Sequence, residues 1–155
     1  MRIDSFKLNN RRRAFEISCE RGDFSFPYAH ADPQPTADDP IVEAFIDPEL
    51  ACEALTYRLV SGTEGFVHIE MAFDYNREPT YMRDSLLYRL SVESQKRLVE
   101  SGLSKREVSR QLRTSPTQLY RLLDQTNYDK SFDKMLELLS VLGCEIDISI
   151  HKRSA

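Results

Sequence analysis

Residues 104–123, SKREVSRQLRTSPTQLYRLL, hold the densest group of side chains that could do chemistry, because five of them are basic and only Glu107 is acidic. Arginine and glutamine form bidentate hydrogen bonds with DNA bases, and isolated basic side chains contact phosphates. Hydrogen bonding to a nucleic acid is therefore the chemistry that this stretch predicts. The base-contact candidates are Thr117, Gln118 and Arg121, and the phosphate-contact candidates are Lys105, Arg106, Arg110, Arg113 and Tyr120.

Other polar side chains give catalysis or metal binding little support. His30, Asp32, Asp38 and Asp39 follow no spacing that metal ligands use. His68 lies in an alternating apolar segment, where a half-buried sheet residue is the simpler interpretation. No nucleophile stands beside a base, and no pair of carboxylates has a recognisable spacing. We expect no catalysis, no cofactor and no metal; a small enzyme or metal protein that uses His30 or His68 is a third hypothesis, behind the two given below.

Two short helices must position the basic side chains. The sequence contains two capping boxes, Ser104 with Glu107 and Ser115 with Gln118. In each, the serine hydroxyl accepts the backbone N–H three residues later, and the side chain of that later residue accepts the backbone N–H of the serine. Pro116 fits the first position of the second helix. Gln118 thus has two candidate roles, as a cap partner and as a base contact, and Tyr120 would either reach a phosphate or pack under its helix. One face of each helix is apolar, with Val108 and Leu112 on the first and Leu119, Leu122 and Leu123 on the second.

This pattern resembles the helix-turn-helix of the lambda-repressor-like, XRE/Cro family of bacterial and phage regulators, over roughly residues 94–149. The positions that fit are Ser104, Glu107, Val108, Leu112 and Ser115. Ser109 stands where the family usually has Ala, Arg113 where it often has Gly, and Lys105 and Pro116 where it often has Gln. The resemblance implies a double-stranded DNA partner, a second helix that enters the major groove, and a homodimer on a pseudo-palindromic site.

Composition divides the chain into two parts. The net charge is −4, but residues 1–80 carry 8 basic and 15 acidic side chains, whereas residues 81–155 carry 13 and 10. We therefore expect an acidic domain over residues 1–80, for dimerisation, sensing or partner binding, and a DNA-binding domain over residues 81–155. Three scattered cysteines predict reduced thiols and a cytoplasmic location. No apolar run is long enough to span a membrane, and residues 1–13 do not resemble a signal peptide.

Alternation of apolar residues predicts strands in the acidic half. Residues 2–8, 13–19 and 24–26 read as a meander, and Arg11–Arg13 at its first turn read as solvated charge. A proline-rich loop follows over residues 29–40. We predict one antiparallel sheet of about six strands, to which residues 41–46, 55–60 and 66–73 add, with a short helix over residues 48–53.

Helical spacing returns from Pro79. A helix starts there and either continues to Ser101 or breaks near Ser91, and a last helix is capped by Ser131 and ended by Gly143. Residues 144–150 alternate with a period of two and predict a final strand, which would pair with the first sheet or with its copy in a second subunit. The polar residues 151–155 are expected to fray. The fold expected is α+β: an N-terminal antiparallel sheet with a short helix, then a helix-turn-helix bundle of four or five helices ending in one strand.

Two functional hypotheses follow from these expectations. The first is a sequence-specific transcriptional regulator of the XRE helix-turn-helix type. The second is an antitoxin-like interaction protein, whose N-terminal domain binds a partner protein, such as a toxin, and whose DNA binding is autoregulatory. Two capped helices also occur in small α-helical domains that bind no DNA, so the pattern alone leaves that interpretation open.

Overall fold

The computed structural model describes residues 1–152 and divides the chain into two compact units, Met1–Met82 and a second that begins at Arg83. The class is α+β, as predicted. None of the described helices has the length and apolar character needed to cross a bilayer. The strands are β1 (Ile3–Asn9), β2 (Ala14–Cys19), β3 (Gly22–Pro27), β4 (Ile41–Ile46), β5 (Ala54–Leu59) and β6 (Glu64–His68), and the helices are α1 (Ile69–Asn76), α2 (Pro79–Ser101), α3 (Lys105–Gln111), α4 (Pro116–Leu123) and α5 (Phe132–Val141).

The first unit contains two three-stranded antiparallel sheets, and the prediction of one six-stranded sheet is wrong. Their orders are β1-β2-β3 and β4-β5-β6. The physical reason lies in the core, because both sheets contribute apolar side chains to the same buried cluster. Phe15 of β2 and Tyr57 of β5 are almost fully buried, and their ring centroids lie 5.2 Å apart. Two sheets can cover each other's apolar faces in this way, which one open sheet cannot do.

The connection between β4 and β5 is a turn, and the predicted helix over residues 48–53 is wrong. Ile46 pairs with Leu55, so the intervening residues must close a hairpin rather than extend as a helix. Asp47 organises the turn: its Oδ1 accepts the Glu49 N–H at 2.9 Å and its Oδ2 accepts the Thr56 hydroxyl at 2.6 Å. Both bonds are made to the charged carboxylate, and the bond from Thr56 is the first cause of the lowered pKa of Asp47.

The predicted strand over residues 66–73 is half right. Strand β6 ends at His68, and α1 begins at Ile69. Ile69 and Phe73 lie four residues apart, a spacing that fits one face of a helix as well as one face of a strand. His68 favours the helix from Ile69 onward, because its Nδ1 accepts the Glu70 N–H at 3.3 Å and caps the N-terminus of α1.

The second unit has its own core, to which α2, α3, α4 and α5 all contribute apolar side chains. Helix α2 is continuous from Pro79 to Ser101, so the alternative of a break near Ser91 is excluded. The Ser131 hydroxyl accepts the Lys134 N–H at 3.2 Å and begins α5, as predicted. The buried cluster of this unit consists of Leu87, Leu98, Val108, Leu112, Leu119, Leu122, Leu123, Met135, Leu138 and Leu142.

Residues 144–150 form no strand in the single chain, so the predicted pairing with the first sheet is wrong, whereas pairing with a second copy stays a prediction. They follow α5 with no regular secondary structure, and no neighbouring strand lies beside them within residues 1–152. A strand is stable only when its backbone pairs with another, so alternation by itself does not produce one. The predicted fraying of residues 151–155 falls largely on residues outside the described part of the chain.

Candidate nucleic-acid interface

Serine hydroxyls fix the starts of both helices in the basic segment. Ser104 Oγ accepts the Glu107 N–H, and Ser115 Oγ accepts the Gln118 N–H, each at 3.2 Å. These bonds were predicted and are confirmed. The return bond from the first capping box is absent among the described residues, because the Glu107 carboxylate instead accepts from Arg110 at 3.2 Å. Opposite charges three residues apart on a helix attract, and this pair outcompetes the bond back to Ser104.

The turn between α3 and α4 depends on one residue in a left-handed conformation. Arg113 has φ +53°, and its N–H donates to the Arg110 carbonyl at 3.1 Å. The next N–H, that of Thr114, donates to the Ser109 carbonyl at 3.0 Å. This arrangement satisfies the last carbonyls of α3 and redirects the chain within a few residues. Glycine adopts such a φ without strain, which explains why glycine suits this position in the family that the segment resembles.

The inner surface of the two helices is apolar and close-packed. Leu119 of α4 is fully buried, and Leu122 and Leu123 are nearly so. On α3, Val108 and Ser109 are both buried, and the Ser109 hydroxyl donates to the Lys105 carbonyl at 2.8 Å. Packing of these side chains orients the opposite face of α4 toward solvent.

The three base-contact candidates share that solvent-facing side. Thr117, Gln118 and Arg121 are all exposed, and their spacing of three and four residues places them on one face of α4. Arg121 Nη2 lies 4.0 Å from Asp129 Oδ2, and the Asp129 side chain is 99% exposed. An exposed pair at this distance contributes little, so a stronger acceptor can displace the aspartate.

The phosphate-contact candidates lie on α3, in the turn and on α4, and all five are exposed. Lys105 Nζ lies 4.6 Å from the centroid of the Tyr120 ring, a cation–π contact between α3 and α4. Because Tyr120 is 55% exposed, it does not pack under the helix. Arg110 is paired with Glu107, whereas the ion pairs of residues 1–152 include neither Arg106 nor Arg113.

Two residues that support the end of α4 were missed at the level of sequence. Lys130, only 8% exposed, donates through Nζ to the Leu122 carbonyl at 2.9 Å, the Asp124 carbonyl at 2.6 Å and the Ser91 hydroxyl at 2.5 Å. Burial lowers the pKa of Lys130, and the Asp124 charge opposes that change. Gln95 of α2 donates to the Leu123 carbonyl at 2.6 Å. Together they satisfy carbonyls at a helix end, where intrahelical partners are missing.

The remaining chemical candidates have structural roles. His68 caps α1, and the His30 ring lies 5.0 Å from that of Tyr75. Asp39 Oδ1 accepts the Ser61 N–H at 2.8 Å, which ties the proline-rich loop to the turn before β6. Among the residues that the structure describes, no three His, Cys, Asp or Glu side chains are grouped so that they could hold a metal ion.

Comparisons with family models, with curated proteins and with solved structures give no match for the chain. The likeness to the XRE/Cro segment therefore depends on the residues quoted for it. Any functional assignment must come from the local geometry of α3, the turn and α4.

Proposed function

We propose that this chain is a sequence-specific DNA-binding transcriptional regulator of the XRE helix-turn-helix type, without catalysis, that acts in the cytoplasm. The observation that carries the proposal is the two-sided character of α4. One side is buried through Leu119, Leu122 and Leu123, and the other exposes Thr117, Gln118 and Arg121 with a basic surface beside it. A short helix supported in this way enters the major groove by its N-terminal end.

Each exposed side chain has a role that its chemistry suits. Arg121 donates two bonds to guanine, and Gln118, whose side chain is not needed for the cap, bonds adenine through its amide. Lys105, Arg106 and Arg113 contact phosphates, which fix the position of the protein without selecting a sequence. Arg110 and Tyr120 flank the same surface and complete the set of phosphate contacts.

Selection from a random duplex library with the purified full chain, at two salt concentrations, tests the proposal. Arg121→Ala is expected to relax preference at one base position and to cost about 1–3 kcal/mol of binding free energy. Lys105→Ala is expected to weaken all sequences alike, since it removes a phosphate contact. Arg89→Ala is the matched control, because Arg89 is an exposed arginine of α2 and belongs neither to α3, nor to the turn, nor to α4.

Two results would contradict the proposal. If no duplex is retained even at low ionic strength, the chain is not a DNA-binding protein. If DNA is retained but Arg121→Ala and Lys105→Ala behave like Arg89→Ala, α4 is not the surface that binds.

A second candidate function, an antitoxin-like interaction protein with autoregulatory DNA binding, has support from the outer face of β4-β5-β6. Phe45 and Phe66 flank Thr56 across these strands and are 44% and 55% exposed. The neighbouring row consists of Glu43, Arg58 and Glu64, and Arg58 pairs with Glu43. One acidic group, Glu64, is left beside the two phenylalanines, so the face suits an apolar partner with a basic group. Co-purification with a small toxin encoded by a neighbouring gene, lost in the double variant Phe45→Ser/Phe66→Ser with DNA binding intact, would favour this function.

A further inference from the structure

Residues 144–150 expose an alternating apolar row directly after the second unit's last helix. Ile146, Ile148 and Ile150 are 40%, 83% and 91% exposed. Helix α5 ends in an ordered way, since Gly143 has φ +74° and the Cys144 N–H donates to the Leu139 carbonyl at 2.9 Å. Beyond that point, within residues 1–152, no hydrogen bond joins the backbone of residues 145–152 to another part of the chain. The segment thus combines unpaired backbone with exposed β-branched side chains.

We infer that this segment pairs, as an antiparallel strand, with the same segment of a second copy of the chain. Unpaired N–H and C=O groups on a segment of this kind are a template for strand addition. Isoleucine favours a strand, and three isoleucines on one side give a strand pair a common apolar face. The inference does not rest on the proposed function, because pairing between copies can be measured without DNA.

The sequence selects one register. A twofold axis at Ile148 sets Ile148 against its copy and Ile146 against the second copy's Ile150, so every isoleucine meets another. On the other face this register sets Asp147 against Ser149 and Glu145 against His151, with no like charges opposed. Moving the axis to Asp147 would place two aspartates directly opposite, which is destabilising, and would leave Ile150 facing Cys144.

A groove beside the segment gives the apolar face a place to pack. Its volume is about 620 Å³, and the apolar part of its lining consists of Leu90 of α2, Leu139 of α5, Leu142, Cys144 and Ile146. The charged part comes from α2, where Arg97 pairs with Glu93 and Glu100. In the register above, the second copy's Ile150 lies opposite Ile146 and therefore at this groove. The paired strands then have an apolar support that a free two-stranded ribbon lacks.

The mass of the full chain in solution, measured by light scattering over a concentration series, tests the pairing. A dimer of about 36 kDa, twice the 18.0 kDa chain, is expected. Ile148→Lys places two like charges on the axis and should give a monomer with an unchanged helical circular dichroism spectrum. Val99→Lys is the matched control, since Val99 of α2 is 82% exposed, as Ile148 is, and lies outside the segment. A chain that is monomeric at every concentration, or an Ile148→Lys variant that still dimerises, would overturn the inference.

Disulfide formation tests the register. In a background with Cys19→Ala, Cys52→Ser and Cys144→Ser, an Ile148→Cys substitution brings two cysteines face to face at about 4.5–5.5 Å between Cα atoms, within disulfide reach. Ile146→Cys should not cross-link, because its copy lies about 13 Å away along the strand. Cross-linking that is equal for both variants, or stronger for Asp147→Cys than for Ile148→Cys, would overturn the register.

Discussion

At the scale of single residues, Tyr57 shows how one buried phenol links strand β5 to the proline-rich loop of the first unit. Its side chain is 1% exposed, and its hydroxyl donates to the Pro33 carbonyl at 2.6 Å. Burial raises the pKa of Tyr57 to about 12, and the nearby Asp32 charge adds to the increase. The unfolded phenol loses its proton near 10, whereas the folded one retains it, so the folded state binds more protons over this interval.

Tyr57 should therefore make the first unit less stable as the pH rises from about 10 to about 12. In Tyr57→Phe this decline in stability should be weaker. Near neutral pH the free energy of unfolding of the variant should fall by about 1 kcal/mol, because the hydrogen bond to the Pro33 carbonyl is lost. Urea unfolding followed by NMR at several pH values measures both effects. Tyr128→Phe, which removes an exposed phenol, should keep the decline, and a Tyr57→Phe curve parallel to that of the unchanged chain would contradict the assignment.

Lys130 is the second residue whose burial has a measurable consequence. Lys130→Met retains much of the aliphatic side chain but leaves the Leu122 and Asp124 carbonyls without their donor. We expect a loss of about 1–3 kcal/mol in the free energy of unfolding of the second unit, and faster amide exchange at the end of α4. Lys134→Met is the control, because Lys134 forms an exposed pair with Glu137 and should change stability by about 0.5 kcal/mol or less. Equal losses in both variants would contradict a support role for Lys130.

At the scale of elements, the helices of the second unit were predictable because their signals are local. Ser104, Ser115 and Ser131 each accept an N–H three residues later, and a reader of the sequence needs only four consecutive residues to expect this. The strands β2 and β5 were predictable for a similar reason, since alternation of apolar residues is visible within six positions.

Elements that depend on distant partners were not predictable. Residues 66–73 satisfy both a period of two and a spacing of four, and a single cap at His68 divides strand from helix. Residues 144–150 alternate correctly but have no neighbouring strand among the described residues. At the candidate interface, the exposed face of α4 followed from spacing, whereas the burial of Lys130 depends on Ser91, 39 residues earlier, and has no pattern in the sequence.

The turn between α3 and α4 gives a prediction that separates stability from binding. Arg113→Gly should stabilise the second unit by about 0.5–1 kcal/mol, because glycine adopts φ +53° without the strain of a side chain. The same change removes a proposed phosphate contact and should weaken DNA binding. Arg113→Ala is the matched variant: it loses the contact but not the strain, so binding falls and stability does not rise. Thermal unfolding measures the change in stability, and titration with a DNA duplex measures the change in binding. A destabilised Arg113→Gly variant would show that the arginine side chain stabilises the turn.

At the scale of the whole molecule, charge is divided between the two units. Residues 1–82 carry a net charge of −7 and residues 83–155 carry +3, so the net charge of the chain understates what α3 and α4 present to a ligand. Interactions between exposed charges fade beyond about 10 Å at 0.1 M salt. At 0.1 M salt and above, acidic groups farther away than this are already screened, so added salt acts on the contacts with phosphate.

The salt dependence of DNA binding therefore counts the phosphates contacted and, with them, the copies bound. Lys105, Arg106, Arg110 and Arg113 predict a slope of log Kobs against log salt of about −3.6 for one copy, and of about −7 when two copies occupy a pseudo-palindromic duplex. Fluorescence titration of such a duplex at several salt concentrations measures this slope. Arg106→Ala should lower its magnitude by about 0.9 per copy, whereas Arg89→Ala should leave it unchanged. A slope near −3.6 on the full site would show that a single copy binds, and a slope that does not change in Arg106→Ala would remove this cation from the phosphate contacts.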